Sequence, residues 1–169
     1  MEKILDLDAT AQIQLLKSKE ISSKELMEST LDRIESINPT VNAIVSLQER
    51  ESLLNTAQEN DDGPLHGLPV AIKDLEETNG ITTTFGSPIF KDYKPNFDSN
   101  MVSNIKSAGG IVIGKTNVPE FGLGSHTFNS VYGKTLNPYN LTKTCGGSSG
   151  GAAVALATNM ISLGDGSDM

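Results

Sequence analysis

The sequence is short of the residue types that most often mark a metal site or a disulfide-linked fold. Its 169 residues include one cysteine, Cys145, and two histidines, His66 and His126. A single cysteine cannot form an internal disulfide, and it excludes a zinc site built from several cysteines. Long hydrophobic runs are also missing, because no apolar stretch approaches the roughly 18 residues of a membrane-spanning helix.

Basic side chains are scarce as well, with 13 lysines and arginines against 21 aspartates and glutamates. Phosphate binding favours a basic surface, so we expect no nucleic-acid partner. The net charge of −8 also argues against a polybasic membrane contact. Residues 1–6 carry acidic side chains where a signal peptide has an apolar stretch. The sequence therefore predicts a cytoplasmic protein without a membrane partner.

Residues 1–62 are predicted to form an N-terminal helical segment. Asp8 can cap a helix over residues 9–17, and Ser22 followed by Glu25 matches the capping-box pattern of a second helix. We expect Asn38-Pro39 to end that helix, because a residue before proline avoids the α region. A third helix is predicted over residues 48–60.

Residues 63–169 show a different pattern, in which helices alternate with short apolar strands. The predicted strands cover residues 69–72, 111–113 and 160–163, and the predicted helices follow Ser99 and cover residues 152–157. This alternation predicts an α/β layered domain. The turn-forming residues 61–64 mark the expected boundary with the helical segment.

A glycine- and serine-rich run, residues 145–151, leads directly into the alanine-rich helix. A flexible linker seldom abuts a helix this closely, and a phosphate-binding P-loop is excluded because Ala152 follows the glycines. The G-x-S-x-G pattern fits Ser148 or Ser149. Hydrolases with that elbow place their histidine after the serine, whereas both histidines here precede it.

A catalytic serine without histidine needs another base, and a neutral lysine can serve. Lys73 follows the apolar residues 69–72, so its side chain is expected to enter the packed interior. Burial disfavours the ammonium and lowers the pKa of a lysine from about 10.4. A surface lysine paired with Asp74 or Glu76 is the alternative, and these local residues leave both open.

Four blocks, in the same order, resemble the amidase signature family. They are residues 42–45, residues 67–74, residues 109–121, and Asn137-Pro138 followed by residues 146–151. Any one glycine-rich block would be weak evidence, but four in order are highly specific. The resemblance implies an incomplete amidase-signature fold, with a mixed central sheet flanked by helices and an N-terminal helical layer.

The resemblance also implies a Ser-cisSer-Lys triad that cleaves small-molecule amides without metal or organic cofactor. By motif position, Lys73 matches the general base, and Ser148 matches the bridging serine that follows a cis peptide bond from Gly147. Ser149 matches a loop or helix-start hydroxyl. The substrate-binding residues would be Gly122, Leu123, Gly124 and Ser125.

The family's nucleophilic serine follows a segment that resembles residues 166–169, so we expect it beyond Met169. Neither Ser149 nor Ser167 takes its place by motif. The oxyanion-hole region would begin at Asp168 and Met169. We therefore expect the 169-residue chain to be inactive, and Cys145 to serve packing rather than reaction.

Three hypotheses follow for the whole protein. It is an amidase of which this chain is the N-terminal portion, or the amidase subunit of a tRNA-dependent amidotransferase, or a non-catalytic truncated remnant. A sheet that lacks later strands would expose its edges. Self-association through those edges is therefore expected.

Overall fold

The computed structural model describes residues 2–59 and 63–168 as a mixed α/β structure. The helices are α1 (Glu2–Leu5), α2 (Ala9–Lys17), α3 (Ser23–Val41), α4 (Arg50–Glu59), α5 (Asn100–Ser107) and α6 (Gly150–Ala157). The strands are β1 (Ile44–Val45), β2 (Pro69–Lys73), β3 (Ile111–Thr116), β4 (Phe128–Asn129), β5 (Gly133–Lys134), β6 (Leu136–Asn137) and β7 (Asn140–Thr144). The predicted fold class is confirmed.

The N-terminal helices begin where the capping residues predict. The Asp8 carboxylate accepts a hydrogen bond from the Ala11 amide at the start of α2. At the start of α3, the Ser22 side chain accepts from the Glu25 amide, and the Glu25 carboxylate accepts from the Ser22 amide. Each bond satisfies a backbone donor that has no partner within its helix.

The prediction that Asn38-Pro39 ends the second helix is wrong, because α3 continues to Val41 with Pro39 inside its last turn. The helix ends at Asn42, whose left-handed backbone lets its amide donate to the Asn38 carbonyl at 2.7 Å. The Asn38 side chain accepts from the amides of Ala43 and Ile44. These bonds to the following loop hold Asn38 in the helical conformation that proline disfavours.

The central sheet has three strands in the order β1-β3-β2 and is mixed, as predicted. β1 runs antiparallel to β3, and β2 runs parallel to β3 with Lys73 opposite Thr116. Every residue of β2 and β3 is buried. The other strands form two small antiparallel pairs, β4 with β5 and β6 with β7.

The two faces of this sheet contribute to separate apolar clusters. Ala71, Ile111 and Ile113 belong to a cluster with side chains of α3, α4 and α6. Val70, Ile72 and Val112 belong to a second cluster, with Val102 of α5 among its members. Because alternate residues of a strand point to opposite faces, helices cover both sides of the sheet. The first cluster takes side chains from both sides of the predicted boundary at residue 62.

The strand predicted over residues 160–163 does not form. The amides of Met160 and Ile161 donate to the Ala155 carbonyl, so they close the end of α6 instead of pairing with a strand. A single parallel bridge between Ala71 and Gly164 follows this segment. Within residues 2–59 and 63–168, no helix is long and apolar enough to cross a membrane.

Candidate active site

Lys73, at the carboxyl end of β2, is a buried charged side chain beside the serine-rich loop. Its exposed fraction is 1%, so the alternative of a surface lysine is wrong. Asp74 does not pair with it, because the Asp74 carboxylate accepts hydrogen bonds from the Thr84 amide and hydroxyl. The Lys73 side chain is therefore available to other partners.

Those partners are three serines. The Lys73 amine nitrogen, Nζ, lies 2.9 Å from Ser148 Oγ and 2.9 Å from Ser149 Oγ. It also lies 2.8 Å from Ser167 Oγ and 3.3 Å from the Ser167 carbonyl oxygen. One amine thus contacts all three hydroxyls.

The number of hydrogens restricts how these contacts are made. A neutral amine offers two N–H donors and one lone pair, so at least one of three hydroxyls at hydrogen-bond distance must donate to Nζ. Ser149 Oγ lies 3.4 Å from the Ser167 carbonyl, to which it can donate, and it accepts from the Ser167 amide at 3.3 Å. With the Ser149 proton used there, Ser148 and Ser167 are left as the hydroxyls that can donate to the amine.

Burial lowers the pKa of Lys73, because the ammonium loses its hydration in the packed interior. The charges of Asp165 and Asp168 act in the opposite direction and raise the pKa. The lowering by burial is larger. This environment favours the neutral amine that a general base requires.

The backbone around Ser148 is held on both sides. The Gly147–Ser148 peptide bond is cis, as the resemblance implies. Before it, the Gly146 carbonyl accepts hydrogen bonds from the Thr127 amide and hydroxyl. After it, the Gly150 amide donates to the same Thr127 hydroxyl at 3.1 Å. One threonine therefore fixes both ends of the turn that presents Ser148 to Lys73.

A cleft of about 360 Å³ opens beside these serines. Its lining includes all four predicted substrate-binding residues, together with residues of the two serine-containing loops: Gly122, Leu123, Gly124, Ser125, Ser148, Ser167 and Asp168. The fold thus brings the predicted pocket next to the predicted base. Met169, the other residue of the predicted oxyanion region, lies outside the described residues.

Sequence reasoning missed three contacts of Lys73. It assigned Ser149 only to the helix start and gave no role to Ser167 or Asp165. The Lys73 amide donates to Asp165 Oδ1 at 2.8 Å. The available signal was an acidic residue flanked by glycines, Gly164-Asp165-Gly166, directly before the segment that the resemblance placed at the site.

The single thiol lies apart from this chemistry. Cys145 is partly buried and packs against the cluster shared by α3, α4 and α6, and burial raises the pKa of its thiol. A raised pKa opposes thiolate formation and hence reactivity. In the described part of the chain, no group of three or more histidine, cysteine or acidic side chains could hold a metal ion.

Comparisons with known proteins agree with this geometry. A family model described as Amidase matches residues 25–169. A glutamyl-tRNA(Gln) amidotransferase subunit from Desulfatibacillum aliphaticivorans is 43% identical over 160 residues, which are 90% of this chain and 33% of that protein.

Solved structures show the same likeness. A 6-aminohexanoate cyclic dimer hydrolase, solved with substrate, aligns with a TM-score of 0.88 at 35% identity, over 95% of this chain and 33% of that one. A fatty acid amide hydrolase aligns with a TM-score of 0.92 at 27% identity, over 99% of this chain and 31% of that one. The chain spans about a third of the length of the relatives it matches.

Proposed function

The chain belongs to the amidase signature family, and from this we propose that it supplies the base and the bridging serine of a hydrolase that cleaves carboxylic amide C–N bonds. The observation that carries the proposal is the 2.9 Å contact between Lys73 Nζ and Ser148 Oγ. Burial lowers the pKa of Lys73, which gives this pair the direction of proton transfer that the reaction needs.

The proposed reaction passes one proton through Ser148. Neutral Lys73 takes the Ser148 proton while Ser148 takes the proton of the nucleophilic serine, whose oxygen attacks the amide carbonyl carbon. The relay then returns a proton to the leaving nitrogen, the C–N bond breaks, and an acyl-enzyme forms. Water hydrolyses this ester by the same relay, which frees the acid and restores the serine. No metal or organic cofactor takes part in this scheme.

We place the nucleophile beyond Met169, in a Gly-Gly-Ser-like turn, because the motif that resembles residues 166–169 precedes it in the family. The oxyanion hole would lie in the same turn, beginning at Asp168 and Met169. The 169-residue chain would therefore bind a small-molecule amide in the cleft beside Leu123 without cleaving it. It requires no nucleic-acid or membrane partner.

The test compares the chain with a protein that restores the proposed missing part. Residues 1–169 would be joined to the remaining portion of the Desulfatibacillum relative, and both would be assayed with chromogenic amides and glutamine. We expect no turnover by the chain and turnover by the joined protein. Lys73→Met and Ser148→Ala should each lower kcat by at least about 10²-fold, as loss of a proton-transfer group does.

Two results would contradict the proposal. Burst release of amine by the 169-residue chain, with an acyl adduct mapped by mass spectrometry, would place the nucleophile inside it. A joined protein that is folded but inactive, while the intact relative is active, would argue against an amidase role for Lys73 and Ser148.

A second candidate is the amidase subunit of a tRNA-dependent amidotransferase, which frees ammonia from glutamine beside partner subunits. The 43% identity to a protein of that name favours it. Glutaminase activity of the joined protein that appears only with the partner subunits would support this candidate. Hydrolysis of simple amides without partners would support a free-standing amidase. If the gene contains a natural stop after Met169, the third candidate, a non-catalytic remnant, gains support.

A further inference from the structure

Asp165 is an acidic residue that the proposed proton relay does not use, although it lies directly against the base. It follows Gly164, which forms the single parallel bridge to Ala71 of β2. Asp165 Oδ1 then accepts the Lys73 amide hydrogen at 2.8 Å. Segment 164–165 therefore continues along the edge of β2 and replaces a strand partner at the residue that carries the amine.

The charged groups around this contact are supplied by the segments next to β2. Asp165 and Asp168 act on Lys73, while Glu76 and Lys115 act on Asp165. The acidic groups that act on Lys115 of β3 are Asp165 and three others, which are Asp74, Glu76 and Glu77. Asp165 thus influences both buried lysines.

We propose that Asp165 is a positioning residue for Lys73, which fixes the end of β2 through the backbone and balances the protonation of the amine through its charge. The hydrogen bond prevents the strand end from moving relative to the serines. The charge stabilises the ammonium that forms when Lys73 takes a proton. The catalytic consequence rests on the proposed amidase function, whereas the effect on Lys73 itself does not.

The two contributions of Asp165 can be separated by substitution. Asp165→Asn keeps an oxygen that can accept the Lys73 amide hydrogen but removes the negative charge. Since that charge raises the pKa of Lys73, the Asn variant should titrate at lower pH. Asp165→Ala removes both, so it should lower the pKa of Lys73 and also free its backbone amide.

The experiment measures Lys73 directly by NMR in the 169-residue chain. Lysine side chains are labelled with ¹³C, the Lys73 signal is assigned by its loss in Lys73→Met, and the pH titration is followed in each variant. Amide hydrogen exchange at Lys73 reports the strand end. Asp92→Asn serves as the matched control, because Asp92 is exposed and pairs only loosely with Lys91 at 3.8 Å.

We expect the Lys73 titration to move to lower pH in Asp165→Asn, with amide exchange unchanged, and the exchange to become faster only in Asp165→Ala. Asp92→Asn should change neither. An unchanged titration in folded Asp165→Asn overturns the electrostatic part of the proposal. Unchanged exchange in folded Asp165→Ala overturns the backbone part.

If either variant fails to fold, the unmodified chain still decides the question. Its Lys73 signal should show a second, smaller step at the pH where the Asp165 carboxyl titrates, and the absence of that step would overturn the proposal. All of these readouts are independent of hydrolysis, so they stand even if no amide is cleaved. In an active joined protein, the acid limb of the pH–rate profile should shift in Asp165→Asn by the same amount as the Lys73 titration.

Discussion

At the scale of single residues, the most informative feature is a pair of buried lysines on neighbouring strands. Lys73 reaches the three serines, whereas Lys115 donates to the Glu76 carbonyl and, at 2.8 Å, to Thr78 Oγ1. Lys115 therefore ties the segment after β2 to β3. Both side chains are almost fully inaccessible to water, which disfavours their charged forms.

Lys115 should make the stability of the protein depend on pH in alkaline solution. Burial lowers its pKa from 10.5 to about 8. Between these values the unfolded chain binds a proton that the folded chain does not, so the free energy of unfolding rises with pH. The rise attributable to Lys115 is about 3 kcal/mol at most, at 1.36 kcal/mol per pKa unit.

Urea unfolding of the chain and of Lys115→Met, across the pH range between the folded and the unfolded pKa of Lys115, measures this effect. The difference between the two proteins should change with pH, because methionine does not titrate. A constant difference would show that Lys115 titrates at its ordinary pKa. Lys91→Met, at an exposed position, is the control and should give a constant difference.

At the scale of elements, the start of α3 is the clearest case of local sequence deciding local structure. Ser22→Ala removes the side-chain acceptor of the Glu25 amide. We expect the free energy of unfolding to fall by about 1 kcal/mol, as is usual for loss of an N-cap. Chemical denaturation checks the value. Ser52→Ala, an exposed substitution inside α4, should have little effect, and an equal loss in both would remove the cap as the cause.

The start of α6 depends instead on distant backbone. A Cβ on Gly151 would clash with the Asn117 amide nitrogen and lie 2.8 Å from the Ala43 carbonyl oxygen. Backbone atoms cannot move aside as a flexible side chain can, so Gly151→Ala should destabilise the protein by about 1–3 kcal/mol or more.

Thermal unfolding followed by circular dichroism would measure that loss. Gly164→Ala is the matched control, because its nearest contacts would be at an ordinary 3.4 Å and its backbone is not left-handed. Equal stability of the Gly151 variant and the original chain would contradict the close packing of α6 against β1 and β3.

At the scale of the whole molecule, self-association stays a prediction, and the structure changes where we expect it. The edge of β2 is not free, because Asp165 accepts from the Lys73 amide and Gly164 pairs with Ala71. Apolar side chains beside the cleft are exposed instead, including Leu123 at 67% and Phe128 at 61%. Both line a second cavity, of about 420 Å³.

We therefore expect the chain to associate with a second copy through this apolar surface. Sedimentation velocity over a range of concentrations should show species larger than a monomer, and Phe128→Ser should reduce them. Leu47→Ser is the control, because Leu47 lines a different cavity, with Ser46 and Gln48. A monomer at every concentration would contradict the prediction.

Local sequence determined much of this protein on its own. The caps of α2, α3 and α5 and the apolar residues of β2 and β3 lie where their side-chain chemistry predicts. Each depends on interactions within a few residues, which a sequence pattern records directly. The motif blocks also predicted the pairing of Lys73 with Ser148 and the cis bond before it, because the family resemblance carries that information.

The tertiary structure alone decided the remaining features. Pro39 stays in a helix because bonds from Asn38 to the next loop compensate, and residues 160–163 form no strand because α6 uses their amides. Asp165 reaches Lys73 from 92 residues away. Contacts between distant parts of the chain leave no local pattern, since each partner alone is an ordinary polar residue, and only the fold brings the two together.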